Sequence, residues 1–291
     1  MHLEEEFFEE EIRSGYQISQ KMKKVWAVQL NLLDYFDKLC RKHQLHYFVD
    51  YGTLLGAVRH QGFIPWDDDI DVVMFRDDYE KLKEIALEEV ASPYFFQNSY
   101  TDIMIWAFSK LRDGRTTAIE FPDFPPQFHQ GIFIDIFPMD DVPDDAAMPA
   151  LVGQMQREIW MSIVDPKGLK ELLDQGRRLA LDSDLLTGLL QMQVRERMKM
   201  FEEFNAARFG TSSRVSFITN YFLGSPAVLR DWFVDAVYLP FENIKVPAPA
   251  GYDSLLRCRY GDYMVPVQRP NMHEGIFFDP DIPYTQYMHK E

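Results

Sequence analysis

Apolar residues recur at spacings of three and four from Met22 through Trp26, Leu30, Leu33 and Phe36 to Cys40. That is the period of a helix with one buried face. The opposite face carries Lys21, Lys23, Lys24, Asp34, Asp37 and Lys38, so the spacing predicts a core-packed amphipathic helix over residues 16–43. Residues 45–50 then read as a strand, and 52–58 as a turn leading into a short helix. Asp69, Ile70, Asp71 and Val72 alternate polar and apolar before Val73-Met74-Phe75, which predicts a strand over 70–75. A helix over 79–90 follows, started by Arg76-Asp77-Asp78 with an aspartate as its cap and broken by Ser92-Pro93. Residues 94–99, 103–111 and 116–120 read as strands, with Arg112-Asp113-Gly114 as a hairpin turn between the last two. Residues 131–138 form a further apolar strand, interrupted by one charge, Asp135.

From Asp140 the pattern changes. Asp140-Asp141, Pro143 and Asp144-Asp145 mark a linker, and segments 146–163, 167–180 and 184–208 show leucine and methionine at helical spacing. No ligand spacing occurs there; Met155, Met161, Met192, Met198 and Met200 are expected to pack. This stretch is expected to form a helical subdomain that shapes an acceptor cleft. The tail predicts strands over 235–241 and 244–246, a proline turn at Pro247 and Pro249, and a short helix over 253–260. His273 has no partner in view and reads as structural. The expected division is an acidic lead-in or lid (1–15), an α/β core (16–143), the helical subdomain (144–234) and a closing segment (235–291).

Composition narrows the classes. Apolar residues make up 46% of 291, enough for a sizeable core, which excludes a wholly disordered chain. A formal charge of −16 argues against a nucleic-acid partner, though a nucleotide ligand stays open because a bound metal inverts the local field. Two cysteines, Cys40 and Cys258, supply neither a disulfide framework nor a zinc ribbon. The chain opens with an acidic segment rather than a charged-then-apolar leader, and no transmembrane run is present. The expectation is a soluble, cytoplasmic protein, at most peripheral at the inner membrane face.

Asp69 and Asp71, two apart on one strand, should share a face with α-carbons roughly 6.5–7 Å apart. Like charges that close repel unless a cation sits between them, and carboxylate oxygens suit a hard divalent ion such as Mg²⁺. A calcium loop is excluded: its sixth position would be Val72 rather than glycine, its twelfth Asp78 rather than glutamate, and 70–75 is a buried strand. Asp135, among isoleucines and phenylalanines, is costly to bury unless paired. It either caps a turn, pairs with an arginine, or completes the cation site; a strand wanting a third ligand favours the last. Gly52 provides either a tight turn or bare N–H groups for a phosphate at a helix start, and its place before Asp-x-Asp favours the phosphate. Arg59 is either a solvated charge or a phosphate contact, with His60 the weaker candidate. Lys110 and Arg112 share a strand face and are either surface charge or, for Lys110, a donor-phosphate contact.

The block YFVDYGTLLGAVRHQGFIPWDDDIDVVMFRDDYEKL resembles the signature of the LicD family, which includes fukutin and fukutin-related protein. Further matches are KLRDGRTTAIE at 110–120, GIFIDIFPMDDVP at 131–143 and LPFENIKVPAPAGYDSLLRCRYGDYM at 239–264. The resemblance implies an α/β (α+β) nucleotidyltransferase core like that of DNA polymerase beta, with a mixed sheet and flanking helices. By that resemblance Gly52-Thr53 would be the phosphate turn, Asp69 and Asp71 the metal pair, Asp135 the third acid and Asp67 a supporting metal ligand. It further implies Mg²⁺ or Mn²⁺ as cofactor, a CDP-alcohol donor, and a glycan acceptor such as lipopolysaccharide, teichoic acid or capsule. A phosphorylated alcohol such as phosphocholine would pass to a glycan hydroxyl with release of CMP, chemistry that asks mainly for positioning and charge neutralisation. Two alternatives stand beside it: transfer of the nucleotide itself with release of pyrophosphate, and a non-catalytic glycan-binding protein.

Overall fold

The computed structural model describes residues 2–103, 105–142, 148–268 and 275–288; His273 lies outside the described residues. The acidic lead-in holds a short helical turn at Glu5–Phe8 and β1 (Glu11–Arg13), which pairs with β2 (Tyr16–Ile18) in a hairpin. Arg13 anchors it by an ion pair of 2.6 Å to Glu242, near the other end of the chain. Helix α1 (Gln20–His43) starts later than the apolar period suggests, because Ser19 caps it by accepting from the Met22 N–H.

A two-residue strand β3 (Phe48–Val49) leads into α2 (Tyr51–Arg59), capped by Asp50. The left-handed residue at this junction is Tyr51, with φ of 46°, so Gly52 does not serve as a positive-φ turn. Close approach explains it instead: a Cβ there would lie 2.4 Å from the Asp67 carboxylate. Strand β4 (Asp71–Phe75) runs directly into α3 (Arg76–Glu89), whose N-cap is Phe75 and not an aspartate.

Then come β5 (Tyr94–Gln97), β6 (Ser109–Asp113), β7 (Thr117–Ile119) and the long β8 (Ile132–Val142). The expected hairpin between β6 and β7 does not form. Arg112 and Asp113 continue β6, which pairs with β5 and β8, while β7 pairs with a strand from the chain's far end. A turn does follow at Gly114-Arg115, with the Thr116 N–H donating to the Asp113 carbonyl at 3.2 Å and Arg115 folding back onto the Asp113 carboxylate at 2.6 Å, but the strands on either side of it take other partners.

Helices α4 (Met148–Val164), α5 (Pro166–Asp174), α6 (Ser183–Gln191) and α7 (Val194–Ala206) follow. The expected single helix over 184–208 is two, because Gln193 and Glu196 form a reciprocal capping box that starts α7. The helical pattern also ends early. Strand β9 (Arg214–Ser216), α8 (Ile218–Phe222) and β10 (Val228–Leu229) return to the sheet. A hairpin of β11 (Ala236–Phe241) and β12 (Ile244–Pro249), helix α9 (Tyr252–Tyr260) and β13 (Phe277–Asp279) complete the order. Pro247 and Pro249 lie inside β12 rather than in a turn; a strand in a two-stranded sheet has an edge that tolerates a missing N–H.

The fold is mixed α/β. One seven-stranded sheet runs β10-β9-β8-β4-β3, with β6 and then β5 branching from β8. β8 lies parallel to β4 and antiparallel to β6 and β9. Its length lets the first half pair with β4 and β6 while Asp140–Val142 pair with β9. Ile134 and Ile136 point into the main apolar core with Trp26, Leu30 and Leu33 of α1. A second buried cluster, with Ile159, Leu169, Leu186, Leu189 and Phe201, belongs to α4–α7 and meets the sheet through Val142 and Phe217.

Candidate active site

Register decides which charges meet. Asp71 of β4 stands opposite Asp135 of β8, and Asp135 stands opposite Lys110 of β6. Neighbouring strands lie about 4.8 Å apart, so these three residues form one row across the sheet. Asp69 precedes β4 by two residues and keeps to the same face. Asp69, Asp71 and Asp135 each offer a carboxylate oxygen, and these atoms lie within 4.8 Å of one another. Asp67, Asp68 and Asp69 form a second such group.

Backbone anchors hold this acidic strand in place. Trp26 Nε1 and Gln29 Nε2, both on α1, donate to the carbonyls of Asp67 and Asp68 at 3.1 and 2.6 Å. The Asp135 N–H donates to the Ile70 carbonyl at 2.8 Å. Thr53 Oγ1 accepts from the Asp71 N–H at 2.8 Å. Thr53 is therefore placed apart from the other expected phosphate contacts: it is buried, its hydroxyl is engaged by β4, and it does not line the cavity. Gly52 does line it, and its missing Cβ admits the Asp67 carboxylate.

The acids open onto a cavity of about 660 Å³. Among the described residues six carboxylates line it (Asp67, Asp69, Asp71, Glu120, Asp135 and Asp262) against two cations, Arg59 and Lys110. Burial, and then the charges of Asp69 and Asp135, push the Asp71 carboxyl well above the usual range. The donor set is all hard oxygen, which fits a divalent cation such as Mg²⁺ or Mn²⁺.

Arg59 lies on the wall, half-buried, donating to the Tyr263 carbonyl at 2.8 Å, and forms no ion pair among the described residues. Burial lowers its pKa, yet a guanidinium stays charged. Lys110 is 2% exposed, with Nζ 3.0 Å from Asp135 Oδ1 and 3.0 Å from Glu120 Oε1. Arg112 is fully buried and holds the other Glu120 oxygen, the Gln97 side chain and the Gly131 carbonyl; it is absent from the cavity wall.

Two groups were missed in the sequence. Glu120 read only as the end of a strand, because its cations arrive across the sheet and not at a local spacing. Asp50, fully buried, caps α2 and pairs with Arg259 of α9, whose guanidinium lies 4.4 Å from the Tyr51 ring centre. Beside Lys110 the wall is aromatic, with Trp106 and Phe108 ring centres 5.0 and 5.7 Å from its ammonium. Trp106 and Phe108 stack at 5.1 Å, Phe108 meets Phe137 at 4.7 Å, and Phe137 meets Phe217 at 5.0 Å. Their spacing in sequence, 106 to 217, has no period to reveal it. None of the lining residues lies on α4–α7, so those helices do not form the wall of this cavity.

Residues 44–168, which contain every acid of the triad, match the family model described as the LicD/FKTN/FKRP nucleotidyltransferase domain. The chain is 28% identical over 254 residues to the lipopolysaccharide cholinephosphotransferase LicD of Haemophilus influenzae, covering 81% of this chain and 89% of that one. It is also 45% identical over 64 residues to an uncharacterized protein of Rickettsia prowazekii, 22% of each chain. An acid-lined cavity at the meeting of two parallel strands, in a chain with these relatives, defines a transferase of phosphorus-containing groups. Residues 44–168 are similar to the LicD family's domain, and the likeness to its Haemophilus influenzae member runs through most of the chain.

Proposed function

We propose that this chain moves a phosphorylated alcohol, phosphocholine-like, from a CDP-activated donor to a hydroxyl of a cell-surface glycan precursor, releasing CMP. The observation that carries it is the convergence of Asp69, Asp71 and Asp135 on one face of the cavity, inside the span that matches the LicD domain. The core around them is taken as nucleotidyltransferase-like, with residues 16–143 its main part and 235–291 completing it. The lipopolysaccharide setting rests on the relative in Haemophilus influenzae. No helix among the described residues is long and apolar enough to cross a membrane; the proposed place of reaction is the cytoplasm or the inner membrane face.

Asp69, Asp71 and Asp135 would hold Mg²⁺ or Mn²⁺, with Asp67 at the edge. The ion, when bound, lowers the acceptor hydroxyl's pKa and neutralises phosphate charge. The remaining work falls to the chain. Arg59 offers the diphosphate a guanidinium that no described carboxylate already occupies. Gly52 keeps the start of α2 open, so backbone N–H groups and the Asp67 carboxylate both reach the cavity. The wall of Trp106, Phe108, Phe137 and Phe217 gives a flat base or a quaternary ammonium an aromatic face. Asp135 would accept the proton of the attacking hydroxyl.

The deciding experiment incubates the purified protein with CDP-choline, a glycan acceptor and Mg²⁺ or Mn²⁺, and identifies the nucleotide released. CMP with phosphocholine on the glycan supports the proposal. Pyrophosphate from a nucleoside triphosphate would replace it with nucleotide transfer. Absence of turnover with every CDP-alcohol, together with no donor-induced rise in melting temperature, would leave only a binding protein.

A further inference from the structure

The row Asp71–Asp135–Lys110 holds a cation already. Lys110 Nζ lies 3.0 Å from Asp135 Oδ1 and 3.4 Å from Oδ2, and sits over the Phe133 ring, 3.5 Å from the ring centre. The same ammonium lies 3.0 Å from Glu120, whose second oxygen belongs to Arg112. Glu120 thus has two cations, while Asp135 shares one with it and faces two further carboxylates. Lysine suits such a place because its ammonium is a compact charge on a flexible stem, free to lean either way; an arginine fork would be fixed.

Resting on the proposed divalent site, we infer that Lys110 is a built-in counter-ion that competes with the divalent cation for Asp135, and that Glu120 is the positioning residue to which the ammonium retreats. Two cations on one carboxylate repel. As a divalent ion joins Asp69, Asp71 and Asp135, the ammonium shifts its weight to Glu120, a move that requires no new partner. It stays at the cavity wall, turned from Asp135 toward an entering phosphate. The device lowers affinity for the ion in the donor-free protein and returns that charge to the donor's phosphates, so that ion and donor bind more tightly together than either alone.

Mn²⁺ binding to the full chain without nucleotide, followed by the electron paramagnetic resonance of free Mn²⁺, tests this apart from activity. Lys110→Met removes the competitor and should tighten Mn²⁺ binding at least about tenfold. Glu120→Gln leaves Lys110 to Asp135 alone and should weaken binding roughly three- to tenfold. Lys110→Arg keeps the charge but cannot shift it to Glu120, and should bind Mn²⁺ no tighter than wild type. A merely structural pair would weaken binding in both Lys110→Met and Glu120→Gln by loosening the cluster, which overturns the inference, as does any result in which Lys110→Met is no tighter. If Lys110→Met fails to show a cooperative melt, Glu120→Gln and Lys110→Arg decide: unchanged affinity in the first, or tightening in the second, overturns it. Mn²⁺ binding to wild type that Asp71→Asn does not diminish removes the divalent site, and the inference with it.

Discussion

Three aspartates lie on β8, and they divide into two kinds. Asp135, Asp140 and Asp141 are 4, 0 and 1% exposed, so burial does not separate them. Counter-charge does. Asp140 receives both arms of the buried Arg76, at 2.6 and 2.7 Å. Asp141 is held by Arg230 and by the N–H groups of Thr211 and Ser212 at 2.6 and 3.0 Å. Asp135 has part of one lysine and looks across at Asp69 and Asp71. One end of the strand spends its carboxylates on joining elements; the other gathers its carboxylate with two more at a cavity. Like charges gathered at a cavity are what a structure does not retain for stability alone.

The sharpest break of this comparison is at Asp71. Asp71→Asn removes a ligand and a like charge at once. Transfer activity should fall at least about 1,000-fold. The melting temperature of the metal-free protein should stay or rise, since a carboxyl already pushed up by burial and its neighbours is replaced by a neutral amide. An active variant, or an unfolded one, would place Asp71 with the structural aspartates.

Arg76→Met is the mirror experiment. It strands Asp140 beneath the sheet, and removing one partner of a buried ion pair costs about 3–5 kcal/mol. Urea unfolding should show that loss, while activity per folded molecule stays near wild type. A cost under about 1 kcal/mol would mean that water reaches Asp140 and that the two ends of β8 differ less than their contacts imply.

How much of this contrast is legible in the sequence follows from the range of the forces. Alternation at Asp69-Ile70-Asp71 marks a strand face, and the isolated charge in Ile134-Asp135-Ile136 marks a buried acid; both are local signals, and the three acids do converge. Asp140 and Asp141 look like linker residues beside Pro143, because the arginines that make them strand residues lie 64 and 89 positions away. The pairing of β6 with β8 was hidden for the same reason: Arg112-Asp113-Gly114 has turn composition, and only the long apolar edge of β8 overrides it. Thr53 shows the opposite failure. A hydroxyl after glycine at a helix start fits a phosphate turn locally, but the nearest unsatisfied N–H is that of Asp71, 18 residues on.

Acid titration separates two carboxylates within the cavity itself. Lys110 and Arg112 overcome the effect of burial and hold Glu120 down at about 2, against an ordinary 4.5. A carboxylate depressed in the folded state adds stability that is complete above about pH 4.5 and is lost as pH falls toward about 2. Asp71 is shifted the other way, so its share runs opposite in sign: acidification relieves its repulsion. Urea midpoints measured from pH 6 down should therefore fall less steeply in Glu120→Gln than in wild type below about pH 4.5. Parallel curves would show that Glu120 keeps no privileged hold on its two cations.

The smallest effect belongs to Thr53. Thr53→Val keeps shape but withdraws the acceptor from the Asp71 N–H, a buried donor at the start of β4. Leaving such a group unpaired costs about 1–3 kcal/mol, below the range expected for Arg76→Met. Its effect on catalysis distinguishes two roles. If Thr53 only pins the strand, Asp71 shifts slightly, kcat falls and the donor's KM hardly moves. If the hydroxyl instead turns to a phosphate when donor binds, KM rises as well, and Thr53 joins Gly52 and Arg59 on the binding side of the cavity.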